Sequence, residues 1–271
     1  MISFISIEQF SAYFLTALVP SVIGAISGIG GGIIIKPMLD NFFTITSVEI
    51  NFLSGSTVLA MSLVTLFQNR IKKIKFEDRR GTILALGGIA GGIAGKFSFN
   101  AAIAAAAGTF IGTIQSGIMI LLCSAAFIYT ANKSSINTHN IKNSAFCFIL
   151  GLVMGMISSF LGIGGGPINI MIISYFLGQD SKSTSLCSLY VICLSQTASL
   201  FISVITRSIP QTPPAILITM ILGGVIGGIA GTAIFGFMNN KQVDILFKII
   251  LAGVIILSVS HFLGSLLLII D

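Results

Sequence analysis

The chain has 271 residues, 55% of them hydrophobic and only 8% charged, with mean hydropathy +1.04 and formal net charge +6. A soluble domain carries roughly 25% charged residues, so this composition excludes one and specifies an integral membrane protein. Backbone polar groups must be satisfied inside lipid, which leaves helices or a closed barrel, and the apolar runs lack the alternation of barrel strands.

The stretch from Met1 to Phe14 carries Glu8 and no basic residue ahead of its apolar run. It lacks the basic start and the cleavage site of a leader, so it reads as the start of the first membrane segment. With roughly 20 apolar residues needed per crossing, the first segment runs from about Gln9 to Ser27, with Pro20 inside it. A second, short segment covers Ile33 to Phe43, a third Phe52 to Phe67, a fourth Thr82 to Phe97, and a fifth lies within Ala101 to Ala131. A polar linker, 132–143, follows. The sixth segment spans Ser144 to Leu161, the seventh, again short, Pro167 to Leu177, the eighth Thr184 to Ile205, the ninth Pro214 to Phe237 and the tenth Val243 to Ile269.

The second half repeats the first. Gly28-Ile29-Gly30-Gly31-Gly32 returns as Gly162-Ile163-Gly164-Gly165-Gly166, 134 positions on. The run from Gly87 to Gly95 returns between Gly223 and Gly231, with seven of nine positions identical at an offset of 136. Residues 1–131 and 144–271 thus form two membrane repeats. Duplicated halves with glycine breaks at matched helix ends are a feature of secondary transporters.

Charge orients the repeats. The loop after the third segment holds Arg70, Lys72, Lys73, Lys75, Arg79 and Arg80, six of the 14 basic residues, which places it in the cytoplasm. Its counterpart, 205–213, holds only Arg207 and belongs outside. Lys133, Lys142, Lys182 and Lys241 fall inside, Lys96 outside, and both termini are extracytoplasmic. Equivalent loops on opposite sides require an odd number of crossings per half, hence an inverted repeat. Five crossings meet that condition, and so do three crossings plus a re-entrant hairpin built from the two stretches around each glycine motif.

The glycines divide into two kinds. Gly87, Gly91 and Gly95, with Gly223, Gly227 and Gly231, form small-residue stripes suited to close helix packing, and these two helices are expected to cross where the halves meet. Three consecutive glycines cost about 1 kcal/mol each relative to alanine in a helix, so Gly28, Gly30, Gly31 and Gly32, with Gly162, Gly164, Gly165 and Gly166, predict unwound turns. Such a turn leaves main-chain amides and a positive dipole end free, which suits an anion in a hollow between the halves. The alternative is a sharp, tightly packed helix–helix turn. No βαβ pattern follows either motif, so nucleotide binding is excluded.

Lys36 follows the first motif within one turn. An intramembrane lysine costs about 2.5–3.5 kcal/mol to insert and is a functional candidate; snorkelling to the interface is the other account. Asn169 holds roughly the matching place in the second half. Ser54, Ser56 and Thr57 open the third segment, and Ser183, Thr184, Ser185 and Ser188 the eighth; of these Ser56, Thr57 and Ser188 join the substrate-binding candidates. Glu49 and Asp180 read as interfacial, and no acidic residue is placed mid-membrane. Cys123, Cys147, Cys187 and Cys193 make no CxxC pair and read as buried small hydrophobes. Two histidines without HExxH give no metal site, no cofactor is called for, and His261 reads as a histidine hydrogen-bonded within its helical surroundings. No catalytic residue is assigned and nucleic acid is not a partner.

In the run from Ser27 through Lys36 and Pro37 to Leu39, in its second copy from Leu161 to Pro167, and in the segment order, the chain resembles the sulfite exporter TauE/SafE family of membrane transport proteins over about residues 10–268. The resemblance implies a carrier in the bacterial inner membrane for anions, often sulfur-containing ones such as sulfite or sulfoacetate. Lys36 stands where many members have an uncharged residue, and Pro167 directly follows its glycines instead of lying five positions on. The expectation is an all-α polytopic bundle of two inverted repeats with 8–10 membrane segments. It moves a small anion across the lipid bilayer and is not an enzyme; an anion channel and a packing-only scaffold are the alternatives.

Overall fold

The computed structural model describes residues 7–71, 79–105 and 108–270. Lys72, Lys73 and Lys75, on which the orientation reading leans, lie outside the described residues, as do the first six positions. The described chain is all helical, with no strand: α1 (Ile7–Ser27), α2 (Gly32–Phe42), α3 (Ser47–Ile71), α4 (Arg79–Ala105), α5 (Gly108–Ala131), α6 (Ser144–Leu161), α7 (Gly166–Leu177), α8 (Ser181–Ile205), α9 (Pro214–Phe237) and α10 (Asn240–Ile270). Eight are long and apolar enough to cross a membrane; α2 and α7, with 11 and 12 residues, are not. The interior helices extend beyond the expected segments because their ends are polar, and hydropathy alone truncates them.

Local chemistry sets the breaks. Asn143 caps α6 by accepting from the amides of Ala145 and Phe146. Gly162 ends it in the left-handed region, its N–H donating to the Ser158 carbonyl. Pro167 sits in the first turn of α7, where its missing N–H costs no helical bond.

Each short helix folds back along the long one before it. Tyr13, Ala17, Ile35 and Leu39 share one apolar cluster, and the Tyr13 and Phe43 rings stand 4.4 Å apart. Phe146 meets Phe176 edge-on at 5.5 Å, and the linker is tied to the same end through the His139 and Ile141 amides, which donate to Tyr175 and Phe176. So α1–α2 and α6–α7 are hairpins.

The halves interlock through these hairpins. Gly87, Gly91 and Gly95 of α4 lie against the carbonyls of Phe148, Leu152 and Met156 on α6. Gly223, Gly227 and Gly231 of α9 lie against Phe14, Leu18 and Val22 on α1. The stripes therefore pack, as read from sequence, but each grips the opposite half's hairpin instead of its counterpart stripe. Both steps are four residues on both helices, so close main-chain approach repeats every turn. Helices α3 and α8 pack on each other, as do α5 and α10, and exchanging the two halves leaves the main packing pairs unchanged. Between α5 and α10, Thr113 donates to Ser265 at 2.9 Å, and Ser116 Oγ lies 2.8 Å from His261 Nδ1. The histidine's partner is thus on another helix.

Candidate functional site

Both glycine motifs are unwound. Gly28 and Gly30 have φ of +76° and +75°, and Gly162, Gly164 and Gly165 have +67°, +82° and +68°, values that a Cβ disfavours. Among the described residues, the main-chain amides of Gly30, Gly31 and Gly32, and those of Gly164, Gly165 and Gly166, find no acceptor. Each set sits at the start of a helix, where dipole and free N–H groups favour negative charge.

The hairpin tips meet. A Cβ on Gly32 would strike the Ile163 carbonyl, and one on Gly166 the Ile29 carbonyl. Gly30 and Gly164 both face the same two side chains, Val58 of α3 and Ile192 of α8. Residues 24–33 and 161–170 are buried throughout. The sequence suggested a hollow between the turns; glycine instead lets the two backbones close on each other.

Around the tips lies a set of unsatisfied polar atoms. Asn169 is fully buried and neither amide atom has a partner, and its Oδ1 lies beside Gly165. Asn51 of α3 packs against Gly162 and is equally unpartnered. The hydroxyls of Ser54 and Ser188, both 0% exposed, have no partner either. Buried polar groups are rarely orphaned, and such a cluster marks a place where water or a ligand belongs.

Lys36 is 0% exposed, so it does not snorkel to the protein surface. Its Nζ lies 3.5 Å from Asp40 one turn on, and makes no hydrogen bond. Asp40, 5% exposed at its side chain, escaped the sequence reading, which placed no acid in the interior. Thr57 is buried but donates to the Leu53 carbonyl, and its backbone faces Gly224 of α9. Ser56 is half-buried, and its hydroxyl has no partner among the described residues. The structure thus brings together all eight motif glycines, with Asn169 against the second turn. Ser54 and Ser188 occupy matched interior positions, whereas Thr57 is turned toward α9. Ser185 donates to the Ser27 carbonyl at 2.9 Å, tying α8 to the first turn. The sequence reading missed Asn51 altogether. The duplication offset of 134 relates Asn51 to Ser185 and Ser54 to Ser188, and that offset is the signal that finds them.

The described residues hold no group of three or more histidine, cysteine or acidic side chains placed for a metal ion. Compared with known proteins, the chain matches a family model described as sulfite exporter TauE/SafE over residues 13–260. The searches of curated proteins and of solved structures returned no match.

Proposed function

The chain belongs to the sulfite exporter TauE/SafE family, and from that premise we propose that it is a secondary transporter of a small anion, of the sulfite or sulfonate type, in the bacterial plasma membrane. The observation that carries this reading is the meeting of two unwound turns, each with free amides, among unpartnered asparagine and serine side chains. The substrate-binding set is then Gly28, Gly30, Gly31, Gly32, Lys36, Gly162, Gly164, Gly165, Gly166, Asn169 and Ser188, joined by Asn51 and Ser54. Ser56 and Thr57 fall to the edge of it.

In this reading the halves are inverted repeats, residues 1–131 and 144–271, joined by a cytoplasmic linker at 132–143. The hairpins α1–α2 and α6–α7 enter from opposite faces, and α3–α5 and α8–α10 cross. Irregular backbone at membrane depth is tolerated where protein covers it, as it does at both tips. The orientation rests on the basic ends. Arg80 bonds Asn140 of the linker, and Lys133 bonds Ser181 and Asp244, gathering the ends of α4, α5, α8 and α10 on one side. Contact between the tips is the closed arrangement. Parting them exposes the amides to the anion, and rocking one half against the other carries it across.

Uptake of radiolabelled sulfite into proteoliposomes tests the reading. The expected result is flux that saturates and is accelerated by sulfite on the opposite side. Unsaturable current at far higher rates would instead identify a channel, and absence of flux for sulfite, sulfate and sulfoacetate alike would leave only a scaffold.

A further inference from the structure

A cleft of about 420 Å³ opens away from the hairpin tips, at the end of the bundle opposite Arg79 and Arg80. Val48 of α3, Phe99, Asn100 and Ile103 of α4, and Thr206 and Pro210 after α8 line it. Its floor is Phe99, 1% exposed, whose ring meets Phe160 edge-on at 6.3 Å. Phe160 lies one residue before the end of α6, so this floor is the back of the second hairpin tip.

Over the Phe99 ring, 5.2 Å from its centroid, stands the Lys96 ammonium. The sequence put Lys96 at an outer segment end. The structure runs α4 on to Ala105 and leaves Lys96 only 6% exposed, more than two turns inside. Among the described residues no carboxylate pairs with it. The stripe sets Gly88 on Val191 and Gly92 on Ser195, and one further four-residue step along each helix leads to Lys96 and to Ser199. There the Ser159 hydroxyl donates to Ser199 at 2.7 Å, and Ser203 is buried one turn further on. An uncompensated ammonium in a membrane-spanning helix is costly and defaults to function, and a cation held over an aromatic face stays available for an anion on its other side.

The second half makes the position informative. The 136-residue offset relates Lys96 to Thr232 and Phe99 to Phe235. Thr232 is uncharged, and the cation over Phe235, Lys182 at 4.9 Å, comes from the first turn of α8 at the bundle's end. Of these two duplicated positions, that of Lys96 therefore carries its cation on the stripe helix itself, whereas at Phe235 the cation comes from another helix.

We propose that Lys96, which does not itself line the cleft but stands over its Phe99, forms with that ring a capture site for small oxyanions next to the cleft floor, separate from the hairpin tips and filled from the extracytoplasmic side. The proposal rests on the orientation given under the transport reading, but its test needs no transport. Asn100, one turn beyond Lys96 and on the cleft wall, is replaced by cysteine, with Ala104→Cys as the alternative probe. Right-side-out vesicles are labelled with the sulfonate reagent 2-sulfonatoethyl methanethiosulfonate and with the neutral methyl methanethiosulfonate. The four native cysteines are buried and remain as background.

The ratio of sulfonate to neutral labelling rates is expected to fall about tenfold on adding Lys96→Met, because a unit charge within a few ångströms is removed from a poorly screened site. Lys96→Arg should preserve the ratio, and methanesulfonate should slow labelling only while the charge is present. A ratio indifferent to Lys96→Met overturns the capture site, as does a probe cysteine at either position that reacts only from the cytoplasmic side. Absence of sulfite flux in the parent protein counts against the transport reading and leaves this measurement unaffected.

Discussion

The two glycine turns share left-handed backbone at Gly28 and Gly162 and at Gly30 and Gly164, part at Gly31 and Gly165, where φ is −55° and +68°, and have different surroundings. At the first, Ser185 donates to the Ser27 carbonyl and Lys36 lies within a turn, paired with Asp40. At the second, the matching place beside Gly162 is held by Asn51, unpartnered, and the following helix carries Asn169, also unpartnered. The positions that match Lys36 and Asp40 are Ile170 and Ser174. Duplication kept the main-chain amides on both sides and divided the side-chain chemistry, with charge at one tip and neutral donors at the other. Under the proposed transport reading, an anion between the tips meets free amides on both sides and two unlike walls, which favours a single binding pose.

The backbone half of this comparison breaks hardest at Gly32 and Gly166. Each faces a carbonyl of the opposite tip, so a Cβ has no flexible neighbour to displace. Overpacking costs about 1–3 kcal/mol in ordinary cores, and both alanine variants should lose at least that much, with sulfite flux abolished. Thermal unfolding in detergent and flux in proteoliposomes read the two effects. Gly253→Ala, where nothing lies within 4 Å, is the control and should hold or gain stability. Loss at Gly166 with tolerance at Gly32 would show that the tips are not equivalent supports.

The charged wall is the next test. Lys36→Met leaves Asp40 buried without its partner, and breaking a buried pair in this way costs about 3–5 kcal/mol. The single variant therefore mixes folding with binding. Lys36→Met combined with Asp40→Ser writes the second tip's uncharged chemistry into the first and should recover most of the lost stability. Sulfite affinity in that double variant then isolates the ammonium. Affinity weakened by about tenfold, equivalent to roughly 1.4 kcal/mol, assigns Lys36 to the substrate, whereas parental affinity makes the pair a structural element of the first hairpin.

Much of this was legible in the sequence, for definite reasons. Glycine runs, prolines and apolar length mark helix ends locally, so α6 and α9 fall at the expected bounds. The offset of 134 predicts that whatever one turn does the other does too. What could not be read was direction: that α2 turns back along α1 is decided by packing of Ile35 and Leu39 against Tyr13 and Ala17, residues that look alike in any apolar helix. Likewise Thr57 and Ser54 are three positions apart on one helix, and only the placement of α9 decides that the first is turned aside. Asp40 went unnoticed because an acid near a segment end reads as interfacial until a lysine is found beside it.

The mildest changes separate support from binding. The single Ser185 hydroxyl proton is shared between the carbonyls of Ser27 and Ser181, and Ser185→Ala should cost about 1 kcal/mol of stability while sulfite KM stays near the parental value. Ser54→Ala and Ser188→Ala remove hydroxyls that have no partner, so stability should hold or rise slightly, because an unsatisfied buried group is lost. The same two variants should raise KM by several-fold, the trade-off expected where a site keeps a polar group ready for its ligand. Stability and KM are measured on one preparation, so the three serines sort by the sign of each change. Equal rises for Ser54→Ala and Ser188→Ala would place the anion on the pseudo-two-fold axis, since the residues are related by the duplication. A rise confined to one of them would place it against that residue's wall, and a rise in neither would move binding away from the tips.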